Sequence, residues 1–233
     1  VSIPSAPLDE IYDHTVTQHL VAHGAGVKLN TGVERLIVEN GRLTAVEMRN
    51  ARLRHADEFI LAVSHDRVHA LLPEQLTQHP ALADITRLES APIASVHLWF
   101  DRPITELPHA VFINRLSQWM FNRSTTLQDN AKQPNHYYQV VISASRGLSK
   151  STGDDVVQRV LSEFREVWPG SSQAVLLHSR VVTEHKAVFA PTPGSDALRP
   201  AQQSPIGNLQ LAGDWTRTGW PATMESAVRS GYL

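Results

Sequence analysis

Residues 208–233, NLQLAGDWTRTGWPATMESAVRSGYL, hold the side chains whose types and order could do chemistry. Leu209-Gln210-Leu211-Ala212 reads as a short buried strand that runs straight into Gly213-Asp214. Glycine has no Cβ, so a ligand can come close to the backbone there. Asp214 then stands at the carboxyl end of a strand, the usual ligand crevice of an open α/β sheet. After a loop, Gly219-Trp220-Pro221 precedes a helical pattern over residues 223–233. The first N–H groups of a helix are unpaired and carry partial positive charge, which suits electron-rich oxygens. A carboxylate for hydroxyl groups and a helix start for a carbonyl edge therefore lie within one short run.

Other residues of interest are weaker. His97 sits on a predicted strand, where a histidine is usually a satisfied core or edge residue. His19 with His23, and His65 with His69, have the helical spacing of metal ligands, but neither pair brings a third ligand, so no metal site is expected. Lys186 and Arg199 read as solvated charges. Asn122-Arg123-Ser124 fits the glycosylation pattern, with nothing else to suggest secretion.

Composition narrows the classes. There is no cysteine, which excludes disulfides, thiolate nucleophiles and Cys-ligated metal clusters. A net charge of −2 is neither the footprint of a nucleic-acid binder nor that of an acidic tail. No apolar run approaches the length of a membrane span, and no signal-peptide pattern opens the chain. A chain of 233 residues that is 42% hydrophobic can fill a core, at roughly 1.5 domains by length. A start at Val1, not Met, leads us to expect a fragment or processed product.

The elements that must position these residues follow from periodicity. Leu8, Ile11, Tyr12, Val16 and Leu20 predict an opening helix that Gly24 and Gly26 stop. Residues 27–29 read as a short strand. Residues 33–39 and 42–48 read as strands flanking Asn40-Gly41, the strongest short hairpin signal. The continuous apolar run within 58–63 predicts a strand buried on both faces. Residues 68–72 predict a helical piece that ends at Pro73. Strands are expected at 92–100, 111–113, 118–121 and 137–143, with a polar loop over 124–134. An amphipathic helix is expected over 154–168, capped by Ser151 or Thr152 and carrying Phe164 and Trp168 as core residues, followed by strand pieces at 174–177 and 180–183. A proline-rich loop over 191–200 precedes the terminal strand.

The run from 208 onward resembles the C-terminal FAD signature of the amine oxidase and phytoene desaturase superfamily: strand, Gly-Asp, short loop, Gly-x-Pro, and a helix with small residues. An acid for ribityl hydroxyls and a helix start for the N1–C2=O edge are what a flavin needs. Further segments are similar to the hydroxysqualene dehydroxylases of that superfamily. They are APLDEIY, HLVAHGAGVKLNTGVERLIVENGRL, PIASVHLWFDRPIT, SQWMFNR, VVISASRGLS and FAPTPGSDALRP. The likeness covers nearly the whole chain and matches the C-terminal part of such enzymes.

The resemblance implies FAD as cofactor, with Val33 against the adenine, Gly213 and Asp214 at the ribityl chain, and the amides of Thr223 and Met224 near the flavin ring. It implies reductive dehydroxylation of hydroxysqualene to squalene, in triterpene or hopanoid metabolism. The alternatives are a carotenoid desaturase, a protoporphyrinogen oxidase, an amine oxidase or a non-catalytic piece. Candidate lining residues for an isoprenoid are Trp99, Phe112, Trp119, Phe121, Tyr137 and Tyr138; no catalytic acid can be named.

Two departures stand out. No Gly-x-Gly-x-x-Gly occurs anywhere, so the phosphate cradle of a dinucleotide fold is missing from the chain. The strand at 92–100 holds Ser95 and His97 where many amine oxidases carry a lysine. The expectation is an α+β chain: a partial FAD-binding, Rossmann-like domain from 1–63 and 187–233, and a substrate-binding domain from 64–186 with a mixed or antiparallel sheet. The expected partners are an isoprenoid substrate, a membrane surface touched peripherally and a second copy through an unpaired sheet edge. No nucleic acid is expected, and the expected location is the cytoplasm or the inner membrane face.

Overall fold

The computed structural model describes residues 4–126 and 135–233. Ten strands lie among them: β1 (Val33–Glu39), β2 (Arg42–Met48), β3 (Leu53–His55), β4 (Phe59–Leu61), β5 (Ser90–Phe100), β6 (His109–Val111), β7 (Trp119–Asn122), β8 (His136–Ser143), β9 (Leu176–Phe189) and β10 (Leu209–Leu211). They form an antiparallel sheet β1-β2-β3, a parallel pair β10-β4, and a five-stranded sheet in the order β6-β7-β8-β5-β9. With the helices between them, the chain is α+β.

Two compact units emerge, Lys28–Ala91 with Lys186–Leu233, and Val1–Val27 with Pro92–His185. The later boundary lies one residue from the expected 186/187. Two segments change sides. Residues 1–27 group with the five-stranded sheet, and residues 64–91 group with the hairpin. The second shift has a packing cause, because Val68, Leu72, Leu82, Ile85 and Leu88 enter one apolar cluster with Leu36, Leu43, Leu209, Leu211 and Trp215.

In the first of these units, β1 and β2 pair antiparallel around Asn40-Gly41, both with positive φ (50° and 76°). That is the backbone a two-residue hairpin turn demands, and Asn-Gly supplies it. Asn208 ties this hairpin to β10. Its side-chain oxygen accepts from the Leu43 amide at 3.0 Å, and its nitrogen donates to the carbonyls of Leu43 and Asp57 at 2.8 and 2.9 Å. The strand expected at 27–29 does not form. The run at 58–63 yields only the three residues of β4, with Ile60 72% exposed, so burial on both faces does not hold.

In the other unit, alternation along β5 and β8 splits the sheet into two faces. Ala94, Val96, Leu98, Phe100, Met120, Tyr138, Val140 and Ile142 join a core with Val156, Val157, Val160, Leu161 and Phe164 of the helix Gly153–Val167. Thr152 caps that helix with a full capping box to Asp155. Glu163 accepts the amides of Leu116 and Ser117 at 2.8 Å each, which fixes the chain entering β7.

Three other expectations are corrected, and a fourth, the opening helix, is met with its apolar stripe unburied. The strand expected at 111–113 is β6, shifted to His109–Val111, so Phe112 points into the core. The two pieces at 174–177 and 180–183 are the single strand β9. A helical turn, Arg123–Thr126, opens the expected polar loop, whose residues 127–134 lie outside the described residues. The opening helix forms as a π-helical stretch Glu10–Val16 and an α-helix Thr17–Ala22, but its stripe of Leu8, Tyr12, Val16 and Leu20 stays exposed.

Candidate functional site

The end of β10 is built as a rigid elbow. Gly213 has φ of +145°, a conformation that side chains rarely adopt. A Cβ on Gly213 would run into the indole of Trp215. The Cβ position is filled by Trp215, which is fully buried and donates its indole N–H to the Val63 carbonyl at 2.8 Å. The Gly213 amide donates to Ser230 Oγ at 2.8 Å, which clips the helix Met224–Ser230 to the strand end. Ser230 was not a sequence candidate, since serine on a helix has many uses.

Asp214 follows on this elbow and is half-buried. Burial pushes its carboxyl above the usual carboxylate range, while the charges of His65 and Arg199 pull it back. His65 is buried beside it in the same unit, with Nε2 3.2 Å from Ser90 Oγ and a further contact to the Leu88 carbonyl. Burial holds the imidazole below its ordinary pKa, more than the nearby Asp66 and Asp214 raise it. His65 was expected only as half of a doubtful metal pair, and its place beside Asp214 was not legible. Lys186 is solvated as expected, its side chain 60% exposed, and it pairs with Asp66 at 2.8 Å.

Arg199 overturns the expectation of a surface charge. It is 4% exposed and acts as the hub of the loop that carries Asp214. Its guanidinium donates to the carbonyls of Asp214 (3.0 Å), Thr216 (2.9 Å) and Trp220 (3.0 Å) and to Thr218 Oγ1 (2.9 Å). It also meets Asp196 at 2.8 Å and lies over the Phe189 ring, 5.2 Å from the centroid. Thr218 and Ser226, both buried, share a 2.6 Å hydrogen bond. These contacts fix loop 213–223 and deliver Thr223 to its position as N-cap, where its side chain accepts from the Ser226 amide at 3.2 Å. Met224 begins the helix and is largely exposed.

Val33 is partly buried and packs against the same unit's apolar cluster. It lines a cleft of about 190 Å³ with Leu36, Val46, Phe59, Ile60 and Val63. Val33, Leu36 and Val46 come from the hairpin, and the rest from β4 and its exit.

The open face of the five-stranded sheet carries four of the six expected lining residues. Trp99 stacks on Tyr137, with ring centroids 4.7 Å apart and 8° between planes, and Trp119 stacks on Phe121 at 5.7 Å. His178 joins from β9 at 5.0 Å from Trp99. The other two are corrected, since Phe112 and Tyr138 lie in the core beneath the sheet. Tyr138 is next in sequence to Tyr137, and a strand sends neighbours to opposite faces. Its hydroxyl is spent on the Thr105 carbonyl at 3.1 Å and on the Ile104 amide.

A strand leading to Gly-Asp, a braced loop and a capped helix are the parts of the flavin-binding signature that the sequence resembles. The comparisons agree: residues 9–233 match the family described as flavin containing amine oxidoreductase, and the chain belongs to that family. The 15-cis-phytoene desaturase of Synechococcus elongatus is 27% identical over 94% of this chain and 48% of its own length. The chloroplastic/chromoplastic 15-cis-phytoene desaturase of Solanum lycopersicum is 28% identical over 94% of this chain and 39% of its own. A probable zeta-carotene desaturase of Synechococcus elongatus is 29% identical over 76% of this chain and 40% of its own. The chain thus spans about half, or less, of the length of the curated relatives it matches. Among solved structures, an oxidoreductase from Methanosarcina mazei shares the fold with a TM-score of 0.70 at 16% identity, over 93% of this chain and 51% of that one. A reduced UDP-galactopyranose mutase shares it at 0.65 and 10% identity, over 87% of this chain and 45% of that one.

The cofactor expected from the sequence, FAD, is that of a flavin family. The donor set fits part of it. Asp214 is a half-desolvated acceptor suited to ribityl hydroxyls, and the capped start of the last helix is suited to the flavin's carbonyl edge. No Gly-x-Gly-x-x-Gly occurs in the 233 residues, so a pyrophosphate cradle of that kind is not supplied by this chain.

A prediction about stability follows from Asp214. A carboxyl whose folded pKa is raised contributes most at low pH and loses that contribution as pH rises through the folded value. Asp214→Asn removes the desolvated charge, so the variant should melt at or above the wild-type temperature at pH 7, with the gap closing near pH 4. The same variant in the full-length protein should lose about 1.5–3 kcal/mol of flavin binding, the worth of a charge-assisted hydrogen bond. Thermal melts at both pH values and flavin retention on desalting check this; unchanged retention would remove Asp214 from the flavin site.

Proposed function

We propose that the full-length protein is an FAD-dependent oxidoreductase that exchanges hydride with a long isoprenoid chain. One observation carries the reading: the open sheet face is paved with stacked rings, Trp99 on Tyr137 and Trp119 on Phe121. Rings of this kind suit an apolar, unsaturated chain. Bound FAD would accept or supply two electrons as hydride. The chain's own contribution is to hold the flavin through Asp214 and the capped helix, with Val33 toward the adenine, and to hold the substrate on the aromatic face.

Within that class, the relatives' names support desaturation of a carotenoid precursor. A second reading, reductive dehydroxylation of hydroxysqualene, is favoured by the segments that resemble such enzymes and by hydrogen-bonding side chains set among the rings, His97, Ser95 and Gln139. The absence of lysine from β5 disfavours amine oxidation. No helix among the described residues is long and apolar enough to cross a membrane. The exposed stripe of Leu8, Tyr12, Val16 and Leu20 supports peripheral contact with the lipid in which such substrates dissolve.

The test is turnover by the full-length, FAD-loaded protein. Phytoene with an electron acceptor and hydroxysqualene with a reductant are each incubated with it, and the products are identified by mass. Product from either substrate supports the reading and selects the branch. Product from neither overturns it.

A further inference from the structure

The open face of the five-stranded sheet carries two polar pairs on neighbouring strands. Gln139 donates to Ser95 Oγ at 2.7 Å, and neither group exchanges protons readily near neutral pH. The second pair can. His97 Nδ1 and the Tyr137 hydroxyl are 2.7 Å apart, His97 on β5 and Tyr137 on β8. Tyr137 is half-buried under the stacked Trp99 ring, so its hydroxyl has a fixed place among the rings. Arg123 lies near the pair, and its buried Nε has no hydrogen-bond partner, so the guanidinium keeps donor capacity.

We propose that Tyr137 and His97 are the proton-exchanging pair of this face, with Tyr137 touching the substrate and His97 holding and recharging it. The proposal rests on the isoprenoid redox reading above. In dehydroxylation, the Tyr137 hydroxyl gives its proton to the substrate oxygen while His97 imidazolium returns one from Nδ1. The C–O bond breaks with its electron pair on oxygen, water leaves, and the carbon gains the hydride of a reduced flavin. In desaturation the proton runs the other way. One carbon loses hydride to an oxidised flavin, and the C–H electrons of its neighbour become the new π bond. The released proton passes to the Tyr137 oxygen, and the tyrosine's own proton passes to neutral His97.

The two directions have opposite pH limbs. Burial, with the guanidinium charges of Arg180 and Arg123, holds His97 below its ordinary range. The groups facing the pair are Arg180 and His178 from β9 and Arg123 from the helical turn. Dehydroxylation needs imidazolium, so its rate falls as pH rises through the depressed His97 value. Desaturation needs the neutral ring, so its rate rises through the same value.

The experiment uses the full-length, FAD-loaded protein with both substrates. Tyr137→Phe keeps the ring on Trp99 and removes only the hydroxyl. It should lower kcat roughly 100- to 10,000-fold, as loss of a general acid or base does, with substrate binding by tryptophan fluorescence little changed. His97→Gln keeps a hydrogen-bonding side chain and should abolish the pH limb. Wild-type kcat in Tyr137→Phe, or an intact limb in His97→Gln, overturns the assignment while leaving the isoprenoid reading in place. A wild-type protein that turns over neither substrate overturns both.

Discussion

Replacing Arg199 with methionine should lower stability by about 3–5 kcal/mol, the scale for leaving several buried acceptors without a donor at about 1–3 kcal/mol each. For a chain of this size that is roughly 6–20 °C in melting temperature. The loss does not come from Asp196, which is largely exposed and contributes little as an ion pair. It comes from the carbonyls of Asp214, Thr216 and Trp220 and from Thr218 Oγ1, all of which lose a charged donor at once. Lysine should not rescue the variant, because a single ammonium cannot reproduce a planar fork that reaches several acceptors. Calorimetric melting of wild type, Arg199→Met and Arg199→Lys checks this. A methionine variant that melts with the wild type would show that loop 213–223 stands without its hub.

Gly213→Ala is expected to cost about 2–6 kcal/mol, from backbone strain together with overpacking. The positive φ supplies the first part and the Trp215 indole the second. The two parts separate in a double variant. Trp215→Leu in the Gly213→Ala background should relieve the clash and leave the strain, so the pair of changes should cost less than their sum. Strict additivity in urea titrations would argue that the indole is not what excludes a side chain at Gly213.

Much of the frame was legible from local signals. Asn40-Gly41 defined its hairpin to the residue because two positive φ angles in succession leave few choices. Ser151 or Thr152 marked the start of the long helix, and the structure selects Thr152, with Asp155 completing a capping box. The last strand and last helix were also expected, over 209–212 and 223–233, and they form over Leu209–Leu211 and Met224–Ser230 with Thr223 as the N-cap. What failed was decided at long range. Arg199 reads as a surface cation in sequence, and only the fold of loop 213–223 around it makes it a buried hub. Tyr138 and Phe112 were placed with the lining residues because aromatic type was visible and strand phase was not. The run at 58–63 promised a central strand, but apolar content does not say how many neighbours a strand has.

Asn208 has a consequence for how the molecule opens. Its amide completes hydrogen bonds to Leu43 from a point 165 residues later in the chain, and does so from a position with almost no solvent exposure. The hairpin does not peel away by fraying its own turn alone, because its inner strand is stitched to the residue that leads into β10. Excursions that expose Leu43 must also release β10, so these distant stretches form one cooperative opening unit. Whatever holds β10 in place therefore also holds the hairpin's inner strand.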